Sequence, residues 1–239
     1  NYPTELLDFF RSTVAEQYET SNLIWASQAL PQAEKEQVFI ELWKKKNKKD
    51  LDEVTFVLVA EMLGNRKVLN LILPILENRD MAVKHVSLTL KNQARVQSEE
   101  LTKALIEPIS HLLKSSDVSD QMLGLEAIGK LKIQGLRSEV LPLVDDNSPT
   151  EMVRLYMSAL INQPEKNKKT FIKLSNMETL EVEVRASAIQ TVAITDVHEA
   201  NQILVNWLPN LGSEQKKKVI NILANAKEGI KLLKQLLEQ

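Results

Sequence analysis

The sequence predicts an all-α protein, arranged as a right-handed α-α superhelix of about six to seven helix pairs. The first observation is a proline that recurs at spacings of 34, 34 and 67 residues, the last being close to twice the others. The recurring prolines are Pro74, Pro108, Pro142 and Pro209. A similar apolar segment without a proline surrounds Leu174, near the vacant position. A period in the low thirties is typical of a solenoid of helix pairs.

The second observation is an apolar-periodic stretch behind each proline segment. We align these stretches at residues 55–64, 83–92, 120–129, 153–162, 184–193 and 215–224. The fifth position is often small, as at Ser87, Gly124 and Ala188, which lets neighbouring helices approach closely. A Val-Arg dipeptide at 153–154 recurs at 184–185, with an acidic or amide residue upstream. These stretches are therefore the second helices of the repeats.

The third observation is the composition. The chain of 239 residues has only 6 glycines and few alternating apolar runs, which argues against a β fold.

The predicted helices, in order, span 4–18, 21–30, 31–48, 51–64, 67–79, 81–91, 98–115, 117–131, 136–145, 149–162, 165–176, 179–194, 197–211, 213–226 and 228–238. Asp196 with Glu199, and Ser213, mark two of the helix starts. The recurring prolines are expected inside first helices, which they bend.

A proline in the first helix, an Asp or Asn turn, Val-Arg and a small-residue helix ending like EAIGKL together resemble HEAT repeats, an armadillo-like architecture. The resemblance covers residues 51–224, although Asp120-Gln121 and Gln215-Lys216 replace Val-Arg. It implies a polar ladder, in which an arginine bonds a turn Asp or Asn and ties adjacent repeats together. The ladder residues are Asp80, Lys84, Asp117, Asn147, Arg154, Glu181 and Arg185. It also implies one continuous domain: N-terminal capping helices (1–50), repeats (51–226) and a C-terminal capping helix (227–239).

Several classes of function are disfavoured by the sequence. There is no cysteine, so disulfides and thiolate metal sites are excluded. The histidines at 85, 111 and 198 lack metal-ligand spacing, and no catalytic or nucleotide-binding motif appears, so we expect no metal, no cofactor and no enzymatic activity. No apolar run reaches the ~18 residues of a membrane span. The absence of cysteine leans toward an oxidising, exported location, and a start at Asn1 indicates a processed product or part of a longer protein.

Binding to nucleic acid is a further possibility, because residues 43–49 read WKKKNKK and HEAT-like DNA glycosylases exist. Against it, 30 basic and 32 acidic residues nearly cancel. An extruded base also needs aromatic residues beside the cations. The tryptophans Trp25, Trp43 and Trp207 lie in separate regions and are expected in the core or at caps. Nucleic acid is therefore the less favoured partner.

The favoured interpretation is a scaffold whose second helices line a concave surface for a protein or peptide. The candidate binding residues, expected to be exposed, are His85, Thr89, Gln121, Glu126, Tyr156, Gln190, Lys217 and Asn221. An alternative is a passive spacer between domains of one polypeptide. The closing NAKEGIKLLKQLLEQ is similar to the helix that ends the HEAT segment of large exported bacterial proteins, which join a dehydrogenase-like propeller to a haem-carrying domain.

Overall fold

A computed structural model describes residues 2–12, 17–46, 51–94 and 99–238 of the chain. Every regular element within these residues is a helix, which confirms the all-α fold class. The chain divides into two compact units, Asn1–Ser115 and Ser116–Gln239. The division falls inside the predicted repeat array, 51–226, whose continuity as one domain stays a prediction.

The first unit contains eight α-helices within its described residues. They are α1 (Tyr2–Arg11), α2 (Thr20–Ala26), α3 (Gln32–Lys46), α4 (Glu53–Ala60), α5 (Arg66–Leu76), α6 (Ala82–Lys91), α7 (Glu99–Ala104) and α8 (Ile106–Leu113). Phe10, Leu23 and Val38 belong to the apolar cluster that joins α1, α2 and α3. Helices contact the next but one along the chain, as α1 contacts α3, α3 contacts α5 and α5 contacts α7. This pattern is the one that helix pairs stacked in sequence produce.

The second unit has the same order of packing. Its helices are α9 (Val118–Leu131), α10 (Arg137–Val140), α11 (Thr150–Leu160), α12 (Pro164–Asn176), α13 (Val182–Thr195), α14 (Val197–Trp207), α15 (Ser213–Ala224) and α16 (Lys227–Leu237). Helix α11 contacts α9 and α13, and α13 contacts α15. We call α9, α11, α13 and α15 the second-helix row. Helix α14 contacts α16, while α12 and α14 both pack against α13.

The prolines lie in two kinds of place. Pro74 is inside α5, as predicted, but Pro142 and Pro209 lie in the 3-10 helices Leu141–Leu143 and Leu208–Asn210 that follow α10 and α14. Proline has no N–H to bond the carbonyl four residues back, so the chain tightens there into a 3-10 turn. The expectation that the proline lies inside an α-helix and bends it is therefore wrong for Pro142 and Pro209.

The prediction of a single helix over 98–115 is also wrong, because α7 ends at Ala104 and α8 begins at Ile106. Pro108 cannot donate to the carbonyl of Ala104, which removes the bond that would carry the helix across this point. Helix α12 lies at the vacant proline position and runs without interruption for 13 residues.

Small residues mark the helix interfaces, as predicted for Gly124 and Ala188, which are buried. Ser87 is exposed, so this interpretation is wrong for that position. Gly129 of α9 lies so close to Ser158 of α11 that a methyl group at 129 would overlap the Ser158 hydroxyl. Glycine thus sets the approach of the first two helices in the second-helix row.

Two of the three tryptophans are buried, as predicted: Trp43 in α3 and Trp207 in α14. Trp25 of α2 is 68% exposed, so of the two expected places, the core or a cap, the core is wrong for it. Leu23 and Ile24 occupy the buried side of this short helix instead.

No helix in the described parts of the chain combines the length and the apolar character needed to cross a membrane.

Candidate functional site

Three of the eight candidate binding residues are buried, so the expectation of exposure is wrong for them. His85 and Thr89 of α6 are 0% and 1% exposed, and Tyr156 of α11 is 3% exposed. His85 and Thr89 continue a stripe with Ala82 and Val86 at spacings of three and four residues, and this stripe is the core side of α6. The Thr89 hydroxyl donates to the His85 carbonyl at 2.8 Å, which satisfies it within the helix.

The other five candidates all lie on the second-helix row and are accessible. Gln121 and Glu126 of α9 and Gln190 of α13 are partly exposed, while Lys217 and Asn221 of α15 are exposed. These residues place carboxylate, amide and ammonium groups on three of the four helices of the row. Helix α11 adds no accessible candidate, because the one candidate residue on it, Tyr156, is buried.

Local bonds hold several of these side chains in place. Lys130 donates to Glu126 at 2.6 Å one turn along α9. Lys217 donates to Glu214 at 2.7 Å on α15. The Gln190 amide reaches across to α15 and donates to the carbonyl of Ile222 at 3.3 Å, so this candidate also joins two helices of the row.

One pair of the predicted polar ladder forms an ion pair between neighbouring helices. Arg154 of α11 lies 3.0 Å from the carboxylate of Glu181, the N-terminal cap residue of α13. Both side chains are about half exposed, so we expect this ion pair to stabilise the fold by less than about 1 kcal/mol.

The remaining turn residues of the ladder bond locally. The Asp117 carboxylate caps α9 by accepting from the N–H of Ser119 at 2.8 Å. The N–H groups of Asp80 and Asn147 donate to the nearby side chains of Asn78 and Asp145 at 3.1 and 2.9 Å. Lys84 lies partly exposed on α6.

Arg185 does not bond a turn side chain, and that part of the prediction is wrong. Its Nε donates to the backbone carbonyl of Ser175 at 2.8 Å, and its guanidinium stacks on the ring of Trp207. Burial lowers the pKa of Arg185, which the nearby Glu178 partly offsets. Arg185 therefore links α13 to α12 and α14 through a carbonyl and an indole ring rather than through an Asp or Asn.

Sequence reasoning missed three ion pairs, made by two lysines, that join helices of the second unit. Lys218 of α15 lies 2.6 Å from Glu183 of α13, and this hydrogen bond lowers the pKa of Glu183. Lys168 of α12 bonds Asp196 at 2.8 Å and Glu199 at 2.6 Å. Asp196 also caps α14, as predicted, by accepting from the N–H of Glu199 at 3.0 Å.

Tyr156 forms part of a cavity of about 240 Å³. We call it the Tyr156 cavity. Leu141, Val144 and Met177 contribute apolar walls, and Lys169 and Lys173 of α12 also line it. It lies apart from the polar residues Gln190, Lys217 and Asn221, none of which lines it.

The basic clusters differ in what surrounds them. Most of the 43–49 cluster, including the side chains of Lys45, Lys46, Lys48 and Lys49, lies outside the described residues. In the 216–218 cluster, Lys217 and Lys218 are each paired with a glutamate. The described residues contain no group of three or more His, Asp or Glu side chains able to hold a metal ion.

Comparisons with protein-family models, with curated proteins and with solved structures found no significant match to this chain.

Proposed function

We propose that this chain is a non-catalytic helical-repeat scaffold of the HEAT type, which binds a protein or peptide along its second-helix row. The observation that carries this proposal is the packing of α9, α11, α13 and α15, each against the next. Polar side chains on α9, α13 and α15 remain accessible on this row. A solenoid forms a broad binding surface in this way, because each repeat contributes one strip of it.

The superhelix is part of the same proposal. It is supported within each unit by contacts between helices next but one along the chain, and by the ion pairs that join successive second helices. Arg154–Glu181 joins α11 to α13, and Lys218–Glu183 joins α13 to α15. Repeated bonds of this kind would fix the rotation of each helix pair against the last.

The charges of the row favour a protein partner over nucleic acid. Lys217 and Lys218 lie 2.7 and 2.6 Å from Glu214 and Glu183, so their charges are already compensated. A phosphate backbone would have to displace these carboxylates and would lie close to them. A partner with polar and mixed charged side chains meets no such opposition.

The experiment is site-specific photo-crosslinking in an extract of the source cells. A photoreactive residue at position 221, on the second-helix row, is compared with one at position 166, on α12. We expect a partner to crosslink from 221 and not from 166. Crosslinking from 166 alone would contradict the proposal, and crosslinking from neither would favour the passive spacer.

The partner is then purified and titrated against two matched charge reversals. Lys217→Glu changes the second-helix row, and Lys166→Glu makes the same change on α12. We expect affinity to fall at least about tenfold for Lys217→Glu and to stay unchanged for Lys166→Glu. Equal affinities of the two variants for the partner would show that the second-helix row is not the binding surface.

A further inference from the structure

The Tyr156 cavity combines an apolar interior with a charged edge. Tyr156, Leu174 and Met177 are buried, and Leu141 and Val144, which are partly exposed, extend the apolar surface outward. The charged edge comes from one face of α12, where Lys169 and Lys173 are four residues apart and both are exposed. Residues at this spacing lie next to each other on a helix, so the two ammonium groups can approach a single anion.

The size of the cavity limits what it can hold. At about 240 Å³ it exceeds the ~150 Å³ cavity that admits benzene. It is smaller than the ~300–1,000 Å³ typical of sites for drug-sized ligands. The cavity therefore fits one ring or one branched alkyl group with a short substituent.

The two lysines at its edge have no counter-charge in the part of the chain that the structure describes. Among the described residues, no carboxylate lies within ion-pair distance of Lys169 or Lys173. Their neighbour Lys168, by contrast, points to the other side of α12 and bonds both Asp196 and Glu199. The cationic side of α12 is thus the side that lines the cavity.

The phenol of Tyr156 adds a polar group inside the cavity. Its hydroxyl donates to the carbonyl of Leu141 at 3.4 Å, which is long for a hydrogen bond, so the oxygen can still meet a ligand. Burial raises the pKa of Tyr156, and the positive charge of Arg137 partly opposes this. The phenol is therefore neutral at physiological pH, and Arg137 adds to the positive potential there.

We propose that the Tyr156 cavity binds a small free monocarboxylate, such as an aryl or branched alkyl acid. The apolar group of the ligand packs on Leu141, Val144 and Met177, and its carboxylate bonds Lys169 and Lys173. A charge-assisted hydrogen bond of this kind is stronger than one between neutral groups, so the carboxylate decides which ligands bind. Tyr156 itself lies on α11 of the second-helix row, but none of the exposed polar residues of that row lines this site.

The test is an NMR titration of the ¹⁵N-labelled chain of 239 residues with phenylacetate. Phenylacetamide, which has the same shape without the charge, is the matched control ligand. We expect saturable shifts of the backbone amide signals of 169–177 with phenylacetate, and binding of phenylacetamide at least about tenfold weaker. No saturable shift with phenylacetate, or equal binding of the two compounds, would overturn the proposal.

Variants locate the site and check that it is the cavity. We expect Lys169→Gln and Lys173→Gln each to weaken phenylacetate binding about tenfold. Lys166→Gln, the same change on the same helix outside the cavity lining, should leave it unchanged. Val144→Trp, which fills the cavity, should abolish binding. A loss with Lys166→Gln as large as with Lys169→Gln, or unchanged binding by a folded Val144→Trp protein, would also overturn the proposal.

Discussion

The guanidinium of Arg185 lies over the indole ring of Trp207, with its Cζ 4.6 Å from the ring centroid. The same side chain donates from Nε to the carbonyl of Ser175 at 2.8 Å. Arg185 is on α13, while Ser175 and Trp207 are near the ends of α12 and α14. One arginine therefore links three consecutive helices, and its planar group suits both contacts at once.

We expect Arg185→Ala to lower the free energy of unfolding by ~1–3 kcal/mol, because it leaves the Ser175 carbonyl without its donor and removes the contact with Trp207. Arg185→Lys should restore only part of the loss, because an ammonium group lacks the planar fork of a guanidinium. Urea denaturation followed by circular dichroism measures both variants.

The control is Arg154→Ala, which removes an ion pair whose side chains are about half exposed. It should cost less than about 1 kcal/mol. If the midpoint of Arg185→Ala does not move, the arginine has no structural role and ligand binding becomes the better explanation for it.

Helix positions could be predicted closely because apolar period and helix-start residues are local signals. The sequence predicts α9 at 117–131, and it spans Val118–Leu131; it predicts α13 at 179–194, and it spans Val182–Thr195. At Pro142 and Pro209 the prediction failed because the α-helix gives way there to a 3-10 helix. Whether a proline bends a helix or ends it depends on the packing around it, which its sequence neighbours do not determine.

The candidate site was predictable only in part. Periodicity predicted a helix at α6 but placed its buried face incorrectly, because His85 and Thr89 are polar residues on the core side. Tyr156 is buried because the segment around Leu141 packs beside it, a contact between different elements. The pairing of Lys168 with Asp196 is equally non-local, since many lysines and acids in this chain could have met.

Gly229, near the start of α16, is tightly packed against the end of α15. A methyl group at 229 would overlap the carbonyl of Leu223. We therefore expect Gly229→Ala to lower the free energy of unfolding by ~1–3 kcal/mol through this steric conflict, although alanine is the better helix former.

Gly135→Ala is the matched control in the same unit, because no atom lies within 4 Å of a methyl group placed there. It should change stability by less than about 0.5 kcal/mol. Thermal and urea denaturation compare the two variants with the parent, and equal midpoints for both would show that α15 and α16 do not pack this closely.

Stability should depend on pH through Asp196. The hydrogen bond from Lys168 and the helix-cap bond from the Glu199 N–H lower the pKa of Asp196 in the folded protein. A carboxyl group with a lowered folded pKa stabilises the fold above its unfolded pKa, roughly 4, and the contribution is lost as the pH falls through the folded value.

Asp196→Asn keeps a helix-capping side chain but removes the charge. The variant should be less stable than the parent at pH 7, and the difference should shrink as the pH falls below about 4. Urea denaturation at a series of pH values measures this. A difference that stays constant with pH would mean that the charge of Asp196 does not contribute.

The last prediction concerns nucleic acid. The net charge of the chain is −2, and Lys217 and Lys218 are paired with glutamates. Charges separated by more than the ~8 Å Debye length of physiological salt act almost independently. We therefore expect DNA affinity at ~0.15 M salt to be no tighter than the ~10⁻⁴–10⁻⁶ M of non-specific contact.

Fluorescence anisotropy with a labelled duplex, at low and physiological salt, measures this affinity. The decisive variant replaces with alanine the five lysines of the 43–49 cluster, Lys44, Lys45, Lys46, Lys48 and Lys49. If the parent protein binds DNA with sub-micromolar affinity and this variant does not, a nucleic-acid function is favoured over the scaffold. Such a result would show that the cluster binds phosphate without help from the second-helix row.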